Sequence, residues 1–125
     1  MDWRSLEAFS FGDSPRMADQ LLELVLIGRK RATCWAASQD VESSHVGELA
    51  VVLNGSGVPK AVIRTVELTK RRFSEVDAAF AFDEGEGDLS LAYWRKEHIR
   101  FFTAVGCYAP DMMLGCERFE LVERI

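Results

Sequence analysis

Apolar residues recur at helical spacing between Pro15 and Ile27, where Met17, Leu21, Leu22, Leu24 and Val25 make one stripe. Asp13 or Ser14 can cap this segment, Pro15 suits its first turn, and Gly28 ends it. The pattern then changes period. Ala32–Ala37 is extended in character, and Ser38–Gly47 is a polar loop. Leu49–Leu53 reads as a strand, Asn54-Gly55-Ser56-Gly57 as a turn, and Val58–Leu68 as the antiparallel partner. A short helix is expected over Ser74–Phe82, and a long one from an Asp88 cap to about Ala104, burying Leu91, Trp94, His98, Phe101 and Phe102. A strand over Arg118–Val122 closes the chain, with Phe119 and Leu121 inward. This order predicts an α+β fold around a mostly antiparallel, barrel-like sheet.

Length and charge narrow the picture. A chain of 125 residues fits one domain, residues 1–125, and is long enough to bury a core without disulfides or metals. The net charge of −5 argues against coating nucleic acid non-specifically, though not against a local basic groove. Three cysteines cannot all pair within one chain, and neither their spacing nor that of His45 and His98 matches a structural zinc motif. With no signal pattern and no long apolar run, a cytoplasmic protein that does not enter membranes is expected.

Three charged stretches stand out. Arg29-Lys30-Arg31 and Lys70-Arg71-Arg72 are basic triplets, and Asp83-Glu84-Gly85-Glu86-Gly87-Asp88 is acidic. Each can be a solvated face; the sharper reading puts both triplets beside one anionic ligand, such as a phosphate backbone. The acidic run lacks the alternating ligands of an EF-hand, so calcium is disfavoured. His98 on an apolar helix face reads as a hydrogen-bonded core histidine, and Cys34, with no base near it in sequence, as an inert thiol. Trp35, Tyr93 and Trp94 can each stack on a base, but such spacing more often serves a core.

Gly28-Arg29-Lys30-Arg31-Ala32-Thr33 fits the pattern G-x-K-x-x-[ST] after a first helix. Taken with Phe11-Gly12-Asp13-Ser14-Pro15, Glu84-Gly85-Glu86-Gly87-Asp88-Leu89-Ser90-Leu91, Tyr93-Trp94-Arg95 with His98, and Cys116-Glu117-Arg118-Phe119, it resembles the ASCH domain family, in its bacterial single-domain branch. The resemblance implies a PUA-like β-barrel flanked by helices and a cleft with an RNA- or nucleoside-related role. One family branch hydrolyses the amide of 4-acetylcytidine with a Lys, Thr and Glu constellation, another member type is a ribonuclease, and others bind RNA or DNA. By motif, the lysine and threonine fall on Lys30 and Thr33. The glutamate falls in the acidic segment, on Glu86 first and Glu84 second.

The implied chemistry is coherent. A threonine is a weak nucleophile until a neighbour takes its proton. Lys30 can serve as that base if burial or Arg29 and Arg31 depress its pKa, and a glutamate can orient the lysine or carry the proton to the leaving amine. A tight Lys30–Glu86 pair opposes this by keeping the lysine charged, which suits it better to an oxyanion or phosphate. No metal or organic cofactor is implied. The expected partner is thus a modified nucleoside, handled by Lys30, Thr33, Glu86 and Glu84. The alternative is RNA, held by Arg29, Lys30, Arg31, Lys70, Arg71 and Arg72 with Trp35 stacking; RNA cleavage ranks below both.

Overall fold

The computed structural model describes residues 2–37 and 45–125. Most of the polar loop expected over Ser38–Gly47, residues 38–44, lies outside them. The elements run β1 (Ala8–Phe9), α1 (Pro15–Leu26), β2 (Ala32–Ala36), β3 (Leu49–Leu53), β4 (Pro59–Arg72), α2 (Ala78–Glu84), α3 (Leu91–Ala104) and β5 (Met113–Arg124). They form an α+β domain built on one mixed five-stranded sheet, ordered β1-β3-β4-β5-β2. Only β1 pairs in parallel, with β3; the other neighbours are antiparallel.

Local chemistry explains the helix boundaries. Ser14 caps α1, its Oγ accepting from the Met17 N–H at 3.1 Å with Pro15 in the first turn. Ala18, Leu22 and Val25 bury the apolar face of α1, with Leu22 and Val25 packed against Phe11, Val52, Ala61, Ile63 and Phe119. A second core gathers Phe73, Phe80, Trp94, Phe102, Leu114 and Cys116 between the sheet and the later helices. Because Leu114 and Cys116 alternate with Glu117 and Phe119 along β5, the two cores lie on opposite faces of that strand.

Several expectations need correction. The cap of α3 is Ser90, whose Oγ accepts from Tyr93 N–H, while Asp88 accepts from Ser90 N–H one step earlier. Phe101 is exposed, because Phe102 takes the core position one residue on. β4 and β5 extend well past the predicted ends, through Lys70-Arg71-Arg72 and back to Met113, where the sequence carries no apolar–polar alternation to mark a strand. The sheet is also open and not a closed barrel. Its hydrogen-bonded order ends at two-residue β1 on one side and β2 on the other, and a cavity of about 370 Å³ lies between them, lined by Phe9, Thr33, Trp35, Ala50, Thr65 and Glu117 among others. Among the described residues no helix is long and apolar enough to cross a membrane.

Candidate functional site

The helix α1 ends at a tight turn in which the N–H groups of Arg29 and Lys30 both point back to the Leu24 carbonyl, at 2.9 and 3.0 Å. Gly28, at φ +80°, supplies the left-handed residue that this reversal needs. Lys30 therefore turns inward just before β2 begins. Its side chain is 2% exposed. The ammonium donates to the Ala32 carbonyl at 2.9 Å, the Glu84 carbonyl at 3.2 Å, Glu84 Oε1 at 3.3 Å and Glu86 Oε2 at 2.9 Å.

Glu84 comes to Lys30 because α2 ends there. Asp77 caps the helix start, accepting from Phe80 N–H at 2.9 Å, and Phe80, Ala81 and Glu84 form its buried face. Gly85 then takes a left-handed conformation, φ +75°, against the backbone of Arg29 and Lys30; a Cβ there would lie 2.3 Å from the Arg29 carbonyl oxygen. This close approach fixes the acidic segment on the basic one. Arg31 N–H donates to the Asp83 carbonyl at 2.7 Å, and its guanidinium pairs with Asp83 Oδ1 at 2.9 Å. The Arg29 guanidinium donates to the Gly87 carbonyl.

The carboxylate of Glu84 is buried among several partners. Besides Lys30, it accepts from Trp94 Nε1–H at 2.6 Å, lies 3.5 Å from His98 Nε2, and has the Cys34 sulfur within 4.8 Å. Burial alone would raise its pKa, but Lys30, His98 and the Trp94 donor outweigh burial and hold it below the usual glutamate range. Burial likewise opposes the charge on Lys30, yet the two carboxylates outweigh it and raise its pKa above that of a free lysine. The lysine is therefore a fixed ammonium and not a base at rest. Burial, then the Glu84 charge, pushes the Cys34 thiol well up.

This cluster opens onto a cavity of about 330 Å³, whose walls include Lys30, Thr33, Cys34, Glu84, Glu86 and His98. Phe11 forms part of the same wall, and Lys30 Nζ lies 5.4 Å from the centre of its ring. Thr33 and Cys34 also line the second cavity between the sheet edges, so the two spaces meet at edge strand β2. Thr33 pairs in register with Glu117 and Cys34 with Cys116, which sets Thr33 and Cys34 on opposite faces of the strand.

The fold thus brings Lys30, Thr33, Glu84 and Glu86 to one cavity. It does not bring the second basic triplet there. Lys70, Arg71 and Arg72 lie along β4 opposite Gly115, Leu114 and Met113, and none lines either cavity. Arg71 is drawn to Asp77 at 3.6 Å and Glu67 at 4.0 Å. Trp35 lines the second cavity, beside Gly115, rather than the one that holds Lys30. Sequence reasoning passed over Cys34, Trp94 and His98 as site residues. The signal was present in Tyr93-Trp94-Arg95 with His98, but only the fold shows that Trp94 and His98 face Glu84.

An open mixed sheet flanked by three helices, with a cleft along its free edge, defines the class as an α+β single-sheet domain. The chain belongs to the ASCH domain family, whose model matches residues 7–123. An ASCH domain from Lactobacillus crispatus JV V101 is 34% identical, with a TM-score of 0.84 over 95% of this chain and 80% of that one. A protein of Enterococcus faecalis V583 is 33% identical, with a TM-score of 0.85 over 99% of this chain and 80% of that one. A hypothetical protein at 11% identity and a TM-score of 0.59, covering 83% of this chain and 93% of its own, shares the fold alone. No curated protein matches the chain.

Proposed function

We propose that the protein is an amidohydrolase acting on a modified pyrimidine nucleoside such as 4-acetylcytidine. The observation that carries this reading is the buried Lys30 ammonium, held by Glu84 and Glu86 on the wall of a cavity that Thr33 also lines. The cavity, about 330 Å³, falls at the lower end of the volumes used by small-ligand sites, roughly 300–1,000 Å³. The family resemblance at Lys30 and Thr33 supplies the amide chemistry.

In this reading Thr33 Oγ1 attacks the carbonyl carbon of the acetyl amide, and its proton passes to Glu86. Glu86 suits that role because its side chain is 30% exposed while Glu84 is 2% exposed and fixed by Trp94. The oxyanion that forms is stabilised by Lys30, which is already charged. Collapse breaks the C–N bond, and Glu86 returns the proton to the leaving amine. Water then attacks the acetyl-threonine ester, releasing acetate and restoring the hydroxyl. Glu84 acts as the positioning carboxylate for Lys30.

RNA binding is the weaker reading, because Arg31 and Arg71 are committed to Asp83, Glu67 and Asp77, and Arg29 to Gly87. The test is incubation with 4-acetylcytidine, following free cytidine by chromatography. Thr33→Ala and Glu86→Gln should each abolish release, and turnover that survives Thr33→Ala refutes the assignment. Tight RNA binding that weakens steeply with salt, without release of cytidine, would favour the module instead.

A further inference from the structure

The same cavity wall holds a second constellation that the amide reading does not use. Cys34 on β2, Glu84 at the end of α2 and His98 on α3 each offer one ligand atom, and the three atoms all lie within 4.8 Å of one another. We propose that these three side chains form a binding site for a thiophilic divalent cation of the zinc class. Thiolate, imidazole and carboxylate are the donor types such an ion takes, and three protein ligands leave a fourth position, here facing the cavity.

The geometry around His98 makes the case. Its Nδ1 lies 2.8 Å from the Trp94 carbonyl oxygen. A carbonyl only accepts, so Nδ1 carries the hydrogen and the other ring nitrogen, Nε2, faces Glu84 Oε2 at 3.5 Å. Two acceptors held face to face need a cation between them, either a proton or a metal ion. The indole of Trp94 stacks on the imidazole, with ring centres 4.2 Å apart and planes inclined by 17°, and its Nε1–H holds Glu84 at 2.6 Å. One residue thus orients two of the three ligands, the outer-sphere arrangement that metal sites require.

Glu84 retains capacity for this role. A carboxylate presents about four lone-pair positions, of which Lys30 and Trp94 take one each. Charge also balances: on binding, the ion takes the place of the Cys34 thiol proton, so thiolate and carboxylate neutralise the dication while Lys30 remains paired with Glu86. The three ligands come from separate elements, with spacings of 50 and 14 residues, which is why no sequence motif announces them.

The site does not depend on the amide chemistry and is read without substrate. Metal-free, reduced protein is titrated with Co2+ under anaerobic conditions. The expected result is a one-equivalent thiolate-to-cobalt charge-transfer band with visible bands of tetrahedral intensity, both displaced by Zn2+. Cys34→Ser removes the charge-transfer band, and His98→Gln weakens binding at least about tenfold. Trp94→Phe, a positioning variant, weakens it about 10- to 100-fold while keeping the band. Cys107→Ser, outside the cluster, leaves the titration unchanged, and circular dichroism verifies the fold of each variant. Absence of the band in the unsubstituted protein, or its persistence in Cys34→Ser, overturns the proposal.

Discussion

Lys30 Nζ lies 3.3 Å from Glu84 Oε1, and both side chains are 2% exposed. Such a pair reflects opposing effects of similar size. Removing two charges from water is costly, and the attraction between them offsets this only when the remaining hydrogen-bonding positions are filled. Here they are filled, by the Ala32 and Glu84 carbonyls and Glu86 on the lysine and by Trp94 on the glutamate.

Breaking the pair from one side should therefore cost more than removing both. Lys30→Met leaves a buried carboxylate without its cation, and a loss of about 3–5 kcal/mol is expected. Glu84→Gln should cost a similar amount. The Lys30→Met/Glu84→Leu double variant should lose clearly less than the sum of Lys30→Met and Glu84→Leu. Urea denaturation measures all four; additive losses would mean that the charges do not depend on each other.

Gly85→Ala tests the close approach between the two charged segments. A side chain at φ +75° is strained, and the new Cβ would meet the Arg29 carbonyl oxygen at 2.3 Å and its carbon at 2.6 Å. Both atoms are backbone, so α2 or the α1 exit must move. A destabilisation of about 3 kcal/mol or more is expected. Turnover of the proposed nucleoside substrate should fall with it, because the displacement separates Glu84 and Glu86 from Lys30. A Gly85→Ala protein with the original unfolding midpoint would show that the two segments are not locked together.

What could be read from sequence follows from how local each signal is. The helix α1 was legible because Ser14, Pro15 and Gly28 mark its ends with side-chain or backbone chemistry of their own. At α3 two capping residue types lie two positions apart, and Ser90 takes the cap because Asp88 is engaged by the Ser90 N–H. The strand ends were illegible where like residues follow one another without alternation, which hid Lys70-Arg71-Arg72 within β4. Lys30 and Thr33 lie in one short motif. Their partners lie 54 and 56 residues from Lys30, and the Cys34–Glu84–His98 cluster depends on three elements meeting.

The pH dependence of stability has two edges from this pair. Glu84 is held below the usual glutamate range, so its contribution is present above that range and disappears as pH falls through the lowered value. Lys30 is raised, so its contribution is complete below the ordinary lysine range, about 10.4, and is lost as pH rises through the raised value. Between these edges the pair contributes a flat maximum. Thermal melts across pH should show the acid edge steeper in the native protein than in Glu84→Gln, and equal slopes would deny the depressed carboxyl.

Glu117 should behave in the opposite sense. It stands beside Thr33 in the strand register and lines the cavity between the sheet edges. Burial raises its pKa, and the Thr65 hydroxyl, donating to Oε2 at 2.7 Å, offsets only part of the rise. A raised carboxyl stabilises the fold most below its ordinary range, and that contribution is lost as pH rises through the raised value. At neutral pH the ionised group therefore carries a penalty. Glu117→Gln keeps an oxygen for the Thr65 hydroxyl and removes the charge. It should raise stability at pH 7, and the gain should vanish near pH 4, where the native carboxyl is itself protonated. Paired denaturation curves at the two pH values measure this, and a variant less stable than the native protein at pH 7 would mean that the charge of Glu117 is compensated by a partner across the cleft.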